Sequence, residues 1–424
     1  MLYYLPDSQD LVDPSFDFTK ETRSLDRVRH RDDRYAHEVF AKRVFDGILV
    51  SKGIVDAGGG TGRYTGPQRR RFTRDGVKRY FRADKHGWGK LQFMGDCGAF
   101  TYVKDEVPPY TVDEVVDFYS KGKFDLGVSV DHIILQYDPS WDAFGKASVP
   151  TDVLARQELT LELAREFMKA AKHEKFQPMG VAQGWSPSSY AHAVKQLQKM
   201  GFKYICIGGV VPLKTPKLIH VLDAVNEVRK PRNKLHLLGV TRLEKIAEFR
   251  AYGVASFDST SPLRRAWLDN RVNYFTPDRS YTAIRVPQVD GNVRLQKRIR
   301  AGEVNQELAL AAETKCMEYM AEFDVGKRQA RSVLEALTEY EQIHDPGGDR
   351  SEAYREVLEA KPWKSCTCEV CRALGHHVIL FRGAERNRRR GFHNVHVFYK
   401  QLQRELARPK RRKPALEPEQ RVLV

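Results

Sequence analysis

Gly253-Val-Ala-Ser-Phe-Asp-Ser-Thr-Ser-Pro-Leu-Arg-Arg265 is a short apolar run, Val254 to Phe257, that stops on an aspartate and opens into a hydroxyl-rich loop with Pro262, Arg264 and Arg265. Placing a carboxylate at the end of a buried strand carries a large desolvation cost. Strand-like runs upstream also end in polar or glycine residues. Leu91 to Met94 leads to Asp96, and Leu126 to Val130 to Asp131. Pro178 to Ala182 leads to Gln183-Gly184, Tyr204 to Ile207 to Gly208-Gly209, and Leu235 to Leu238 to Gly239. Polar groups gathered at one end of a parallel sheet form the mouth of an α/β barrel.

Helical signals separate these runs. Thr111 with Glu114 predicts a capping box, as does Thr241 with Glu244. Residues 152–173 predict a helix with Leu159, Leu163, Phe167 and Ala170 on one face. Pro187 opens the next helix and Gly201 closes it. Alternating strands and helices mean parallel βα units. An open doubly wound sheet would gather its ligand at one crevice, whereas functional residues at many strand ends favour a (β/α)8 TIM-like barrel. Two further strands are expected before residue 90 or after 270. The expected organisation is an N-terminal extension (1–50), the barrel (51–300), a zinc-binding helical subdomain (301–405) and a basic tail (406–424).

The formal net charge of +16 on 424 residues predicts an anionic partner, nucleic acid first. A 41% hydrophobic content supports a sizeable core. The N-terminus does not read as a signal peptide, no apolar run approaches membrane-spanning length, and six cysteines do not make a disulfide framework. A cytoplasmic setting fits. Cys366, Cys368 and Cys371, with a histidine some twenty residues on, have the donor types of a closed, structural Zn²⁺ shell. His393 is the expected fourth ligand, with His396, His376 and His377 also in reach. The run Gly53 to Gly62 looks like the glycine loop of Rossmann methyltransferases, which must open straight into a helix. The text that follows, Arg63 to Arg71, is broken by Gly66 and Pro67 and predicts a flexible loop.

Over roughly residues 90 to 400 the chain resembles the tRNA-guanine transglycosylases. Asp96-Cys-Gly-Ala-Phe100 is similar to that family's Asp-Ser-Gly-Gly-Phe. Gln183-Gly184, Gly208-Gly209 and Gly239-Val240 match its turns. Phe257-Asp258 with Pro262 and Arg264 matches its nucleophile signature, and the cysteine cluster with His393-Asn394 its zinc subdomain. Cys97, Ala99, Thr101 and the loop Val210 to Lys214 depart from the tRNA enzymes and look like the DNA-acting branch.

The resemblance implies replacement of guanine in DNA by 7-cyano-7-deazaguanine, taken up as the free base, through a covalent sugar bond to Asp258. Asp96 would move the proton. Asp131, Gln183, Gly208 and Gly209 would hold the base, and Arg264, Arg265 and the arginines at 386 and 388–390 would meet phosphates. It also implies structural zinc, a possible homodimer and an accessory ATP-hydrolysing protein. The competing readings are tRNA as substrate, a methyltransferase built on Gly58 to Gly62, and a zinc-stabilised nucleic-acid-binding protein without catalysis. Blander roles compete for single residues: a helix cap for Asp96, an ion pair with His132 for Asp131, and a plain tight turn at Gly208-Gly209.

Overall fold

The computed structural model describes residues 1–56, 63–85, 88, 91–143, 145 and 148–408. The chain divides into two compact units, one of residues 1–9, 45–260 and 402–424, the other of 10–44 and 261–401.

The first unit is a closed, all-parallel barrel of eight strands. These are β1 (Leu2–Pro6), β2 (Gly47–Ser51), β3 (Gln92–Asp96), β4 (Leu126–Val128), β5 (Gln177–Ala182), β6 (Tyr204–Ile207), β7 (Lys234–Leu237) and β8 (Val254–Asp258). β1 closes the ring on β8, Leu2 opposite Ser256 and Tyr4 opposite Asp258. Alternate side chains fill the interior, among them Tyr4, Leu49, Met94, Val128, Met179, Val181 and Cys206. Fully burying one such side chain contributes roughly 1.5–3 kcal/mol.

The expected boundaries shift here. Residues 1–50 are not a plain extension, because they supply β1 and most of β2, and the barrel unit ends at Thr260 apart from its last segment. These strands were hard to read because each has five residues and some forty largely polar residues lie between them.

Local signals account for most of the helices. Thr111 and Glu114 form their capping box, and Pro187 and Gly201 bound the helix Pro187–Met200. The box at Thr241 does not form; a 3-10 turn, Leu243–Lys245, precedes the short helix Ile246–Ala251. The buried face of Thr151–Ala170 comprises Val153, Gln157, Thr160, Leu161, Ala164 and Phe167, turned away from the predicted stripe. Two polar residues face inward because they satisfy backbone groups. Gln157 Nε2 donates to the Gln183 carbonyl at 2.7 Å, and Thr160 Oγ1 accepts from the His132 amide at 3.0 Å.

Gly66 starts a helix, Gly66–Tyr80, where a loop was expected. Thr65 and Gln68 cap it, and Pro67 sits in the first turn, where its missing N–H costs nothing. A helical turn, Lys52–Val55, separates β2 from the glycines, so the strand does not run into them as a dinucleotide fold requires. Gly58 to Gly62 lie outside the described residues, as does the tail beyond residue 408.

The second unit is mainly helical, with long helices Gln306–Asp324, Ala330–His344 and Ser351–Ala360, and the helix Gly383–Ala407 running through its residues. Segment 10–44 is held there by buried ion pairs. Arg382 donates to Glu21 and Glu313, both at 2.6 Å, Arg386 pairs with Glu21, and Arg27 with Asp13 at 3.1 Å. Among the described residues, no helix is long and apolar enough to cross a membrane.

Candidate active site

The parallel strands deliver Asp96, Asp131, Gln183, Gly208, Gly209 and Asp258 to one rim, at the C-terminal ends of β3, β4, β5, β6 and β8. Asp131 is fully sequestered. Its Oδ1 accepts from the Cys97 thiol at 3.2 Å and its Oδ2 from Gln183 Nε2 at 2.7 Å. Burial pushes its carboxyl up to about 6, against the pull of those two donors. Tyr102 ties the corner together by donating to the Cys97 sulfur (3.0 Å) or the Asp131 carbonyl (3.1 Å). His132 is no ion-pair partner of Asp131; its ring lies against the Asp105 carbonyl at 2.8 Å and Arg156.

Gln183 Oε1 accepts from the Ile134 amide at 3.3 Å, which fixes the amide's orientation. Two glycines let the next turn lie against it. A Cβ on residue 208 would stand 2.4 Å from Gln183 Nε2, and one on residue 209 would stand 2.4 Å from the Ile134 carbonyl. Gly209 also has φ +70°, a conformation that disfavours side chains.

Asp96 keeps part of its surface open, and its Oδ2 accepts from the Gly98 amide at 3.0 Å. Burial first, then the charges of Asp131 and Asp258, push its carboxyl up to about 7. Asp96 is therefore half protonated near neutrality, the poise a general acid–base group needs.

Asp258 is 7% exposed. Its Oδ1 accepts from the Gly239 amide at 3.0 Å and from His236 Nε2 at 3.1 Å. A β-bulge aims it. Leu235 pairs with Val254 but His236 with Ser256, so Ala255 is an extra residue in β8. Side chains alternate along a strand, so one extra residue reverses every position after it. Ser256 and Asp258 thereby turn inward, while Phe257 stacks on Tyr3 at 5.3 Å, away from the interior cluster that holds Tyr4.

In the second unit, Cys366, Cys368, Cys371 and His393 bring their ligand atoms within 4.8 Å of one another. His393 Nδ1 lies 3.6, 3.5 and 3.3 Å from the three sulfurs. Bonds of about 2.3 and 2.0 Å at a tetrahedral angle separate sulfur from nitrogen by about 3.5 Å, so the set fits a zinc-sized ion. His393 Nε2 donates to the Phe275 carbonyl at 2.8 Å, which fixes Nδ1 as the ligand atom. Asn394 braces the same turn through the Phe275 amide at 2.9 Å and the Asn273 carbonyl at 3.0 Å. The other candidates point elsewhere: His396 stacks on Phe40, His377 on Phe18, and His376 faces Asp324.

The family described as queuine tRNA-ribosyltransferase matches residues 113–316. A DNA-guanine transglycosylase of Salmonella montevideo is 46% identical over 406 residues, covering 95% of this chain and 96% of that protein. The chain belongs to the tRNA-guanine transglycosylase superfamily. Its full-length likeness is to the DNA-acting branch, and it is a guanine transglycosylase enzyme by kinship.

As a transglycosylase it departs from expectation in its arginines. Arg386 is bound to Glu21 and the Phe18 carbonyl, Arg389 to Glu385 and the Asp13 carbonyl, and Arg390 to the Leu380 and Ala266 carbonyls. All three are buried, and their terminal nitrogens bond within the fold, so they are not phosphate-binding groups. Arg265 is exposed and Arg264 half-buried, both on the helix Ser261–Leu268 of the second unit. Sequence reasoning missed His236, Ser256 and Tyr102. For His236 a signal existed: an imidazole inside an otherwise apolar strand, three residues before Gly239, is a polar group that needs partners.

Proposed function

We propose that the chain exchanges guanine in DNA for 7-cyano-7-deazaguanine through a covalent bond between Asp258 and C1′ of the deoxyribose. The observation that carries this reading is the trio of carboxylates on one rim. Asp258 is gripped by a single oxygen, while Asp96 and Asp131 have their carboxyls raised to about 7 and about 6.

Asp258 Oδ2 attacks C1′ as the bond from C1′ to N9 of guanine breaks, through an oxocarbenium-like state. Asp96 gives its proton to the departing guanine. The incoming base returns a proton to Asp96 from its ring N9–H, that nitrogen attacks C1′, and the Asp258 carboxylate is released. Asp131 accepts from N1–H and the 2-amino group, while the Gln183 amide and the Gly209 N–H face O6. Guanine and 7-cyano-7-deazaguanine present the same N1, N2 and O6 edge, so one cradle serves both and discrimination falls to position 7.

The target base must leave its stack to reach a recessed rim, at a cost of a few kcal/mol. Phosphate contacts from Arg264 and Arg265 would offset that. Zinc on Cys366, Cys368, Cys371 and His393 would be structural, since four protein ligands leave no open position. The test uses radiolabelled 7-cyano-7-deazaguanine with guanine-containing duplex DNA, single-stranded DNA or tRNA. Incorporation into DNA that is abolished in Asp258→Ala is expected. Incorporation into tRNA alone would move the chain to the tRNA enzymes, and native-rate incorporation by Asp258→Ala would remove the nucleophile.

A further inference from the structure

We infer that His236 is the positioning residue for the nucleophile, locked in one tautomer by a buried hydroxyl relay from Tyr204 and Ser256. The inference rests on the reading of Asp258 as the group that attacks the sugar. It adds what holds that carboxylate in attacking posture.

The relay runs across three neighbouring strands. Tyr204 Oη on β6 lies 2.5 Å from Ser256 Oγ on β8. Ser256 Oγ lies 2.5 Å from His236 Nδ1 on β7, and His236 Nε2 lies 3.1 Å from Asp258 Oδ1. His236 and Ser256 are 0% exposed and Tyr204 5%, so water does not supply alternative partners. The direction of the chain follows from counting donors. Tyr204 has one O–H and, among the described residues, Ser256 is the one hydrogen-bond partner of its hydroxyl, so it donates there. Ser256 then turns its own hydrogen to His236 Nδ1, which must accept. A neutral imidazole that accepts at Nδ1 carries its hydrogen on Nε2, facing Asp258 Oδ1. Reversing the chain would leave the Tyr204 hydroxyl hydrogen without an acceptor inside the barrel, at a cost of about 1–3 kcal/mol.

Two donors, the His236 Nε2–H and the Gly239 N–H, thus converge on one carboxylate oxygen. That fixes the plane of the carboxylate and directs Oδ2 to the reaction. The β8 bulge is part of the same device, since without the extra Ala255 neither Ser256 nor Asp258 would share a face with His236. Losing a held geometry of this kind costs on the order of 100-fold in rate.

The experiment is single-turnover formation of the covalent DNA adduct on the full-length protein, trapped by denaturation, in His236→Phe, His236→Gln and Ser256→Ala. Wild type must form an adduct that Asp258→Ala does not; if it fails to, the covalent reading of the site falls, whatever His236 does. Given that adduct, His236→Phe is expected to slow its formation by about 100-fold, with DNA affinity and the KM for free base within about two-fold of wild type. His236→Gln, which restores an N–H donor, is expected to recover about ten-fold of that loss. ¹⁵N NMR of labelled histidine should show the Nε2–H tautomer for His236 in wild type and a mixture in Ser256→Ala. This readout holds even if His236→Phe does not fold. Adduct formation at the native rate in His236→Phe, or an Nδ1–H tautomer in wild type, overturns the inference.

Discussion

Replacing Asp96 by Asn should make the protein more stable above neutral pH while destroying its activity. The Asp96 carboxyl is pushed from the usual 3.8 to about 7, chiefly by burial and then by Asp131 and Asp258. The folded protein therefore holds a proton that the unfolded chain has already lost between about pH 4 and about pH 7. Stability falls as pH rises through that window and levels off above about 7. A shift of about three units corresponds to about 4 kcal/mol at 1.36 kcal/mol each. Part of the side chain is open at the rim, so about half of that, roughly 2 kcal/mol, is the reasonable expectation.

Asparagine is nearly isosteric and can still accept from the Gly98 amide through its carbonyl oxygen, but it never ionises. The variant should therefore exceed wild type by roughly 2 kcal/mol near pH 8 and show no advantage near pH 4. Denaturant titrations at both pH values measure the difference directly. A variant no more stable than wild type near pH 8, or one with the same advantage at both pH values, would refute the claim that Asp96 is strained by ionisation. Base exchange by the same variant should fall by at least about 100-fold, because asparagine can neither give nor take the proton.

Other tests probe separate parts of the molecule. Gly208→Ala places a methyl 2.4 Å from Gln183 Nε2 and should raise the KM for free base by about ten-fold or more, with a smaller loss in kcat; an unchanged KM would remove Gln183 from the base cradle. Elemental analysis should find one zinc per chain, and stripping it should lower the melting temperature through the second unit; a metal-free protein of native stability would contradict a structural site. Arg265→Ala should weaken DNA binding and flatten its salt dependence without affecting stability. Arg386→Ala should do the reverse, costing about 3 kcal/mol or more, because Glu21 would be left half-paired in a buried network.

The rim was legible because each of its candidate residues stands at the end of an apolar run, where a carboxylate or a Gly-Gly pair is conspicuous. The metal-ligand cluster of Cys366, Cys368, Cys371 and His393 was legible for a similar reason, since thiols crowd in few other circumstances. What could not be read depends on partners far away in sequence. Leu2–Pro6 is a strand because Ser256 and Asp258 lie beside it, and nothing local to residues 2–6 says so. Arg386 to Arg390 look like a phosphate-binding run until Glu21, Asp13 and the backbone carbonyls are seen to take their donors. The inward turn of Asp258 depends on a one-residue bulge, and no composition or periodicity marks Ala255 as the extra residue.

Because β1 closes the ring against β8, the last seam of the barrel joins residues 2–4 to 256–258, the longest loop the sheet has to gather. Contacts that span so much chain form late and slowly. That seam also carries Asp258, so a refolding chain acquires this carboxylate in the same event that seals its wall. Recovery of base exchange after dilution from denaturant should therefore lag behind the return of helical signal and coincide with the final burial of Tyr3 and Tyr4, which makes turnover a direct clock for ring closure.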